Sequence, residues 1–140
     1  MAYCTINDIL KMLDEADLID LTDDTLTGAY DAAVVDRAID DADAEINGYV
    51  GTRYAVGRDP VPPGLRKYSV DIAIYNLYSR RKTVNEEWRK RYEDAVRYLE
   101  LVAKGQISLG AGDAEPGAVN HAPQISGPPR LFSRHKLKGY

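Results

Sequence analysis

Residues 31–54 restrict the fold of this chain more than any other segment, because their apolar side chains recur at spacings of three and four. That period places apolar side chains on one face of an α-helix and charged side chains on the other. A helix of about 20 residues is roughly 30 Å long, and its stability in a protein comes mainly from packing. We therefore expect other helices to cover its apolar face, which consists of Val35, Ala38, Ile39, Ala42, Ile46, Tyr49 and Val50.

Three further segments show the same helical period and complete the predicted core. With the long helix they predict an all-α fold, a small antiparallel bundle of about four helices. A short strand or turn at residues 106–109 and a long extended C-terminal arm follow the bundle. The three additional helices are expected over residues 5–14, 65–81 and 83–104.

The predicted helix starts depend on short capping patterns. Thr5 with Asp8 is a variant of the capping box, and Thr83 with Glu86 is its usual form. Pro63 suits the first turn of the helix that follows it, where its missing N–H costs nothing. These patterns predict that the last long helix begins directly after Thr83.

An acidic segment, residues 14–24, separates the first helix from the long one. Its carboxylates do not follow the spacing of a helix-loop-helix calcium site, and Gly28 comes too late for that pattern. We expect a solvated loop with local capping roles.

The C-terminal quarter of the chain changes in composition. Nine of the 25 residues from 105 to 129 are Gly or Pro, which excludes a helix there. We divide the chain into a helical domain at 1–104, a Gly/Pro-rich linker at 105–127 and a basic and apolar docking arm at 128–140. The residues expected to anchor this arm are Pro129, Arg130, Leu131, Phe132, Arg134, Lys136, Leu137 and Tyr140.

The residue types needed for most catalytic and metal sites are scarce. The chain has one cysteine and two histidines, and no nucleotide-binding, nucleophile-elbow or zinc-protease motif. No apolar run approaches the ~20 residues of a membrane span. We expect a protein that is not an enzyme, binds no metal or cofactor, contacts no membrane and is synthesised in the cytoplasm.

Charge is distributed unevenly along the chain. The totals are 18 basic and 22 acidic residues, but the last 13 residues carry four basic residues and no acidic one, so residues 1–127 have a net charge of −8. An acidic body disfavours sequence-specific DNA binding, which requires a basic surface. A cluster of basic residues between the last two helices, 80–82 and 89–91, either contacts DNA or pairs with acids of neighbouring helices or subunits.

Several of these segments, in this order, resemble the Mu-like phage head-to-tail joining proteins, which are small helical connector subunits. The resemblance begins with the sequence YCTINDI at residues 3–9 and extends over nearly the whole chain. The other matching segments are 38–46, 48–49, 53–54, 63–78, 91–95 with Leu99, 105–109, 129–134 and 139–140.

The resemblance implies a structural protein of the virion, located at the interface between head and tail. Such an adaptor forms a ring, of about twelve copies, under the portal. The ring extends the DNA channel and joins the capsid to the tail. The implied partners are further copies of the chain, the portal protein and a tail-side stopper or tail terminator protein, with genomic DNA passing non-specifically.

Within such a ring, charged side chains on the helices are candidates for subunit or channel contacts. Asp36, Asp40 and Asp43 lie at i, i+4 and i+7 and form an acidic stripe. The stripe either faces the channel or meets the basic cluster of a neighbour, and we expect the neighbour. The basic candidates are Arg80, Arg81, Arg89 and Arg91.

Two other functions remain open from the residues alone. The basic cluster is compatible with a helical DNA-binding regulator. A helical domain with a long arm is also compatible with an assembly scaffold or chaperone that captures a partner.

Overall fold

The computed structural model describes residues 2–56 and 59–110, and within these ranges it contains five α-helices and no strand. The prediction of a small all-α bundle is therefore confirmed. The short stretch at 106–109 forms a turn, in which the N–H groups of Gln106 and Ile107 donate to the carbonyl of Leu101. The helices are α1 (Ile6–Leu10), α2 (Glu15–Thr22), α3 (Ala32–Val50), α4 (Pro63–Arg80) and α5 (Glu86–Ala103).

Helices α3, α4 and α5 form the centre of the bundle, and the pairs that follow each other in the chain, α3 with α4 and α4 with α5, are antiparallel. The ring pairs Tyr68–Tyr98 and Tyr75–Tyr92 show the direction of α5 against α4, because residue numbers rise on one helix as they fall on the other. The same reversal relates α3 to α4: Asn76 reaches the Ala38 carbonyl, while Ser69 lies beside Asp43. The predicted antiparallel packing follows from these contacts.

Helix α4 is the central element of this core. All six residues from Ser69 to Ile74 are buried, together with Leu65 and Leu77. Helix α3 buries the apolar stripe predicted for it, except that Tyr49 is only partly buried. A helix buried around most of its circumference needs neighbours on several sides, and α1, α2, α3 and α5 all contact α4.

The acidic segment contains a helix, α2, where we expected a solvated loop. That prediction is wrong for a tertiary reason. Leu18 and Leu21 are buried, as is Thr22, and spacings of three and four place all three on one side of a two-turn helix that packs on α3 and α4. Most carboxylates of the segment remain on its outer side.

Two of the three helix starts agree with the predicted capping patterns. Thr5 and Asp8 form the complete capping box of α1, and Pro63 is in the first turn of α4. At the other end of the core, Gly105, with φ +80°, follows the end of α5.

The start of α5 differs from its prediction, since its N-cap is Asn85. The N–H of Thr83 instead donates to the carbonyl of Tyr78 and closes the end of α4. Lys82, at φ +58°, makes the turn between the two helices. The chain therefore has to leave α4 before α5 begins.

Among the helices of the described ranges, none is long and apolar enough to cross a membrane.

Candidate interaction surfaces

Asp43 does not belong to the exposed acidic stripe that was predicted for α3. Its side chain is buried, because the N-terminal segment crosses α3 at this point and covers it. The N–H of Tyr3 donates to Asp43 Oδ1 over 3.2 Å, and Ser69 Oγ lies 3.4 Å from the same oxygen. Burial raises the pKa of Asp43 despite these hydrogen bonds. Its contacts are thus with its own chain.

Asp36 and Asp40 remain on the outside of α3, as predicted. Both are exposed, and neither forms an ion pair with a residue in 2–56 or 59–110. Asp41 extends this surface by one further position. We call Asp36, Asp40 and Asp41 the acidic face of α3.

The two arginines at the end of α4 are held by their own chain. Arg80 and Arg81 both donate to the carbonyl of Leu21, over 3.0 and 3.2 Å, at the C-terminal end of α2. Both also form ion pairs with Asp24, and the Arg81 Nη2–Asp24 Oδ1 distance is 2.7 Å. The hydrogen bond from Arg80 lowers the pKa of Asp24. Two of the four predicted inter-subunit cations are therefore paired with the end of α2 and the loop that follows it.

The other two predicted cations lie on α5 and pair mainly along that helix. Arg89 Nη2 is 3.2 Å from Glu86 Oε1, and Arg91 Nη2 is 3.2 Å from Glu87 Oε1. Arg91 also reaches Asp71 on α4, at 3.7 Å. Exposed pairs of this kind contribute little to stability and leave these arginines able to change partners.

Asp71 is a charged core residue that the sequence analysis missed. Its side chain is 3% exposed, with Lys67 Nζ at 3.6 Å and Arg91 Nη1 at 3.7 Å. Its Oδ2 atom accepts no hydrogen bond from the part of the chain that the structure describes. Burial raises the pKa of Asp71, and the two cations offset part of that rise. The i, i+4 spacing of Lys67 and Asp71 was the one available signal.

Asp71 lies at a groove between α1, α4 and α5 with a volume of about 390 Å³. Four cations line the groove, and its apolar wall includes Met12, which is 48% exposed. We call this feature the basic groove. It is lined by Asp8, Lys11, Met12, Pro63, Arg66, Lys67, Val70, Asp71 and Arg91.

The aromatic side chains of α4 and α5 pack against one another, as their spacing predicted. Tyr68 stacks on Tyr98 with ring centroids 4.4 Å apart, and Tyr75 stacks on Tyr92 at 4.1 Å. The Tyr92 hydroxyl donates to Glu45 on α3 over 2.8 Å. These rings form the contact between helices, so their faces are not a platform for bases.

The predicted docking arm lies outside the described residues. This applies to all eight anchor residues, namely Pro129, Arg130, Leu131, Phe132, Arg134, Lys136, Leu137 and Tyr140.

Comparison with known proteins gives consistent matches over most of the chain. The model of the family described as "Bacteriophage Mu, Gp36" matches residues 3–125. The "Mu-like prophage FluMu protein gp36" of Haemophilus influenzae is 35% identical over 113 residues, which span 80% of this chain and 79% of the relative. "Gene product J" of Escherichia phage Mu is 33% identical over 144 residues, which span 100% of this chain and 99% of the relative.

Proposed function

This chain belongs to the Bacteriophage Mu Gp36 family, and from that premise we propose that it is a structural virion protein that joins the head to the tail. It acts as a connector adaptor, in a ring of about twelve copies under the portal. The ring continues the DNA channel from the portal protein toward a tail-side stopper or tail terminator protein.

The observation that carries the proposal is the end-to-end match with a phage protein. Gene product J aligns over 100% of this chain and 99% of its own length. The alignment therefore covers both the helical body of this chain and its basic C-terminal segment. A small helical body with a separate basic arm has the layout of a subunit that contacts its neighbours through one part and a larger assembly through another.

The exposed negative charge of the helical body also supports a role in which the protein lies beside DNA without binding it. Asp36, Asp40 and Asp41 present three carboxylates on one face of α3, and the body as a whole is acidic. Like charge repels the phosphate backbone, so a channel lined this way lets DNA slide.

The pairing of the basic cluster weakens the alternative of a DNA-binding regulator. Arg80 and Arg81 contact Leu21 and Asp24 of their own chain, and contact with phosphate would require them to exchange these partners. We expect no shift of duplex DNA by the full chain in a gel at about 50 mM salt, where electrostatic binding is strong. A shift that weakens steeply with added salt would favour the regulator.

The decisive experiment is to locate the protein in purified phage particles. We expect mass spectrometry to detect the chain in mature virions. We expect electron microscopy of the vertex to show a ring of it next to the portal. Its presence in assembly intermediates and absence from mature virions would instead identify a scaffold or chaperone. Complete absence from both would overturn the proposal.

A further inference from the structure

Leu26 is the most exposed large apolar side chain of the described residues. It lies in the loop between α2 and α3, is 92% exposed, and has a φ of +57°. A single exposed leucine is ordinary, but a leucine in the left-handed region is strained. The chain therefore holds an apolar side chain outward in a backbone conformation that leucine rarely adopts, and such outliers often accompany a functional contact.

The loop that carries Leu26 is fixed by hydrogen bonds on both sides of it. The Asp23 carboxylate accepts from the N–H groups of Thr27 and Gly28, over 2.9 and 2.8 Å. Thr22 Oγ1 accepts from the N–H of Asp31 over 3.0 Å. Asp24 is anchored to α4 by its ion pairs. Leu26 is thus presented on a preorganised loop, which reduces the entropy lost when it docks.

The basic groove has the complementary properties. Met12, Pro63 and Val70 give it an apolar wall, and a volume of about 390 Å³ is ample for one leucine. Its four cations, Lys11, Arg66, Lys67 and Arg91, outnumber the acids Asp8 and Asp71. The segment that contains Leu26 has the opposite charge, since residues 12–36 include eight acidic residues and no basic one.

Leu26 does not occupy the basic groove of its own chain, since its side chain is 92% exposed and is not among the residues that line the groove. Asp24, two residues before it, is tied to Arg80 at one end of α4, whereas Pro63 and Arg66 of the groove lie at the other end. The groove is therefore open to a side chain from another molecule.

We propose that Leu26 of one copy inserts into the basic groove of a second copy, with the acidic α2 segment facing the groove's cations. The contact joins two different surfaces of the same chain, so it is heterologous and leaves one Leu26 and one groove free at the ends of any open chain of copies. Repeated contacts of this kind close into a ring or continue as a filament. The inference deepens the proposed function. Closure of these contacts into a ring rests on that function, whereas the contact between two copies does not.

Site-specific disulfide trapping tests the contact on the purified full chain. Cys4 is buried and is the chain's one cysteine. Disulfides formed under mild oxidation should therefore involve the introduced surface cysteines. Leu26→Cys protein is mixed under mild oxidation with Met12→Cys protein, and separately with Arg66→Cys protein. Met12 and Arg66 are both exposed and lie on different segments of the chain that line the groove. A linked pair requires two Cα atoms to come within the ~7 Å that a disulfide spans. We expect a linked dimer in at least one mixture and a ladder of products from the corresponding double variant.

Three controls give the result its meaning. Val56→Cys, at another exposed apolar residue (52% exposed), replaces Leu26→Cys and should give no dimer above background. Leu26→Cys alone should also give none, because a heterologous contact keeps two copies of Leu26 apart. Asparagine tolerates a positive φ, so the Leu26→Asn variant should fold normally. In sedimentation experiments without introduced cysteines, this variant should lose the self-association that we expect of the wild-type chain.

The outcomes separate this inference from the proposed function. No linked dimer in either mixture, or equal yield with Val56→Cys, overturns the Leu26 contact. Rings of the wild-type chain in virions would still support the connector in that case. Linked dimers from a chain that is absent from virions would keep the contact and overturn the connector.

Discussion

At the scale of single residues, two buried carboxylates stand out in a chain whose acids otherwise lie mostly on its surface. Asp43 and Asp71 lie in the core beside α3 and α4, and burial raises the pKa of both. Desolvation disfavours the charged form of an acid. Each group therefore destabilises the folded state when it is ionised, relative to its protonated form.

The first prediction concerns Asp43→Asn. The folded pKa of Asp43 lies above the ordinary value of 3.8, so the folded state binds the proton of this carboxyl group more tightly than the unfolded state does. Its contribution to stability rises as pH falls through the raised pKa. Asparagine keeps the acceptor for Tyr3 and Ser69 without the charge. We expect urea unfolding to show a stability at pH 7 that is equal to or higher than that of the wild-type chain, with a weaker dependence on pH above 3.8.

The matched control is Asp36→Asn, at an exposed position of the same helix, which should keep the wild-type pH dependence. A steeper pH dependence in Asp43→Asn than in wild type would contradict the burial argument. At lower pH the sign reverses for other groups. Hydrogen bonds lower the pKa of Asp23 and Asp24, so their stabilising contribution is present above 3.8 and is lost as pH falls through their folded pKa values.

At the scale of elements, the turn between α4 and α5 shows how two helix ends compete for the same residues. Thr83 and Asn85 are both good N-caps by type. Only Asn85 performs that role, accepting from the N–H of Trp88 over 2.9 Å. The N–H of Thr83 closes the preceding helix instead.

The second prediction follows from this division. Asn85→Ala should lower the free energy of unfolding by about 1 kcal/mol, because one N–H of the first turn of α5 loses its acceptor. Thr83→Ala is the control and should change stability by less than about 0.5 kcal/mol, since its contact uses the backbone. Denaturant unfolding of both variants measures the difference. Equal losses in the two variants would mean that Thr83 also caps α5.

The third prediction concerns the attachment of α2 to the end of α4. Replacing Arg80 and Arg81 together by Ala removes two hydrogen bonds to the Leu21 carbonyl and the ion pairs to Asp24. We expect a loss of about 1 to 2 kcal/mol from the two hydrogen bonds to the Leu21 carbonyl, while the exposed ion pairs to Asp24 add little. Amide hydrogen exchange should accelerate in α2 and the loop that follows it, more than in α3.

Lys90→Ala, at an exposed position of α5 with no ion pair in the described part of the chain, is the control for the loss of a cation. It should leave exchange in α2 unchanged. If both variants accelerate exchange equally, net charge rather than the specific contact is responsible.

At the scale of the whole molecule, the fourth prediction rests on the division between helical domain and docking arm that was predicted from the sequence. Among the described residues, the buried core extends from Tyr3 to Val102, and we expect deletion of residues 128–140 to leave the unfolding midpoint unchanged. Under the proposed function, the same deletion should prevent attachment to the portal and yield heads without tails. Electron microscopy of lysates and thermal unfolding of the purified variant measure the two effects.

A second variant distinguishes the apolar from the basic anchors of the arm. Leu131→Ser combined with Phe132→Ser keeps all four positive charges of the segment. Tailed particles from this variant, but not from the deletion, would assign docking to charge. Tailed infectious particles from both would contradict a docking role for the arm.

The sequence by itself determined the features that depend on residues close together in the chain. The apolar stripe of α3, the capping box at Thr5 and the positions of Pro63 and Gly105 all follow from spacings of one to four residues. These spacings set the local helical geometry before any tertiary contact forms. The all-α fold and the three long helices were predictable for that reason.

Tertiary structure decided what depends on residues far apart. Asp43 is buried because the segment around Tyr3, 40 residues away, crosses α3. The C-terminal end of α2 is held by Arg80 and Arg81 from α4. The contact of Asp71 with Arg91 and the basic groove beside it both form because α5 packs against α4. Spacing along the chain specifies which face a side chain occupies, whereas only packing determines whether solvent, another helix or an opposite charge lies against that face.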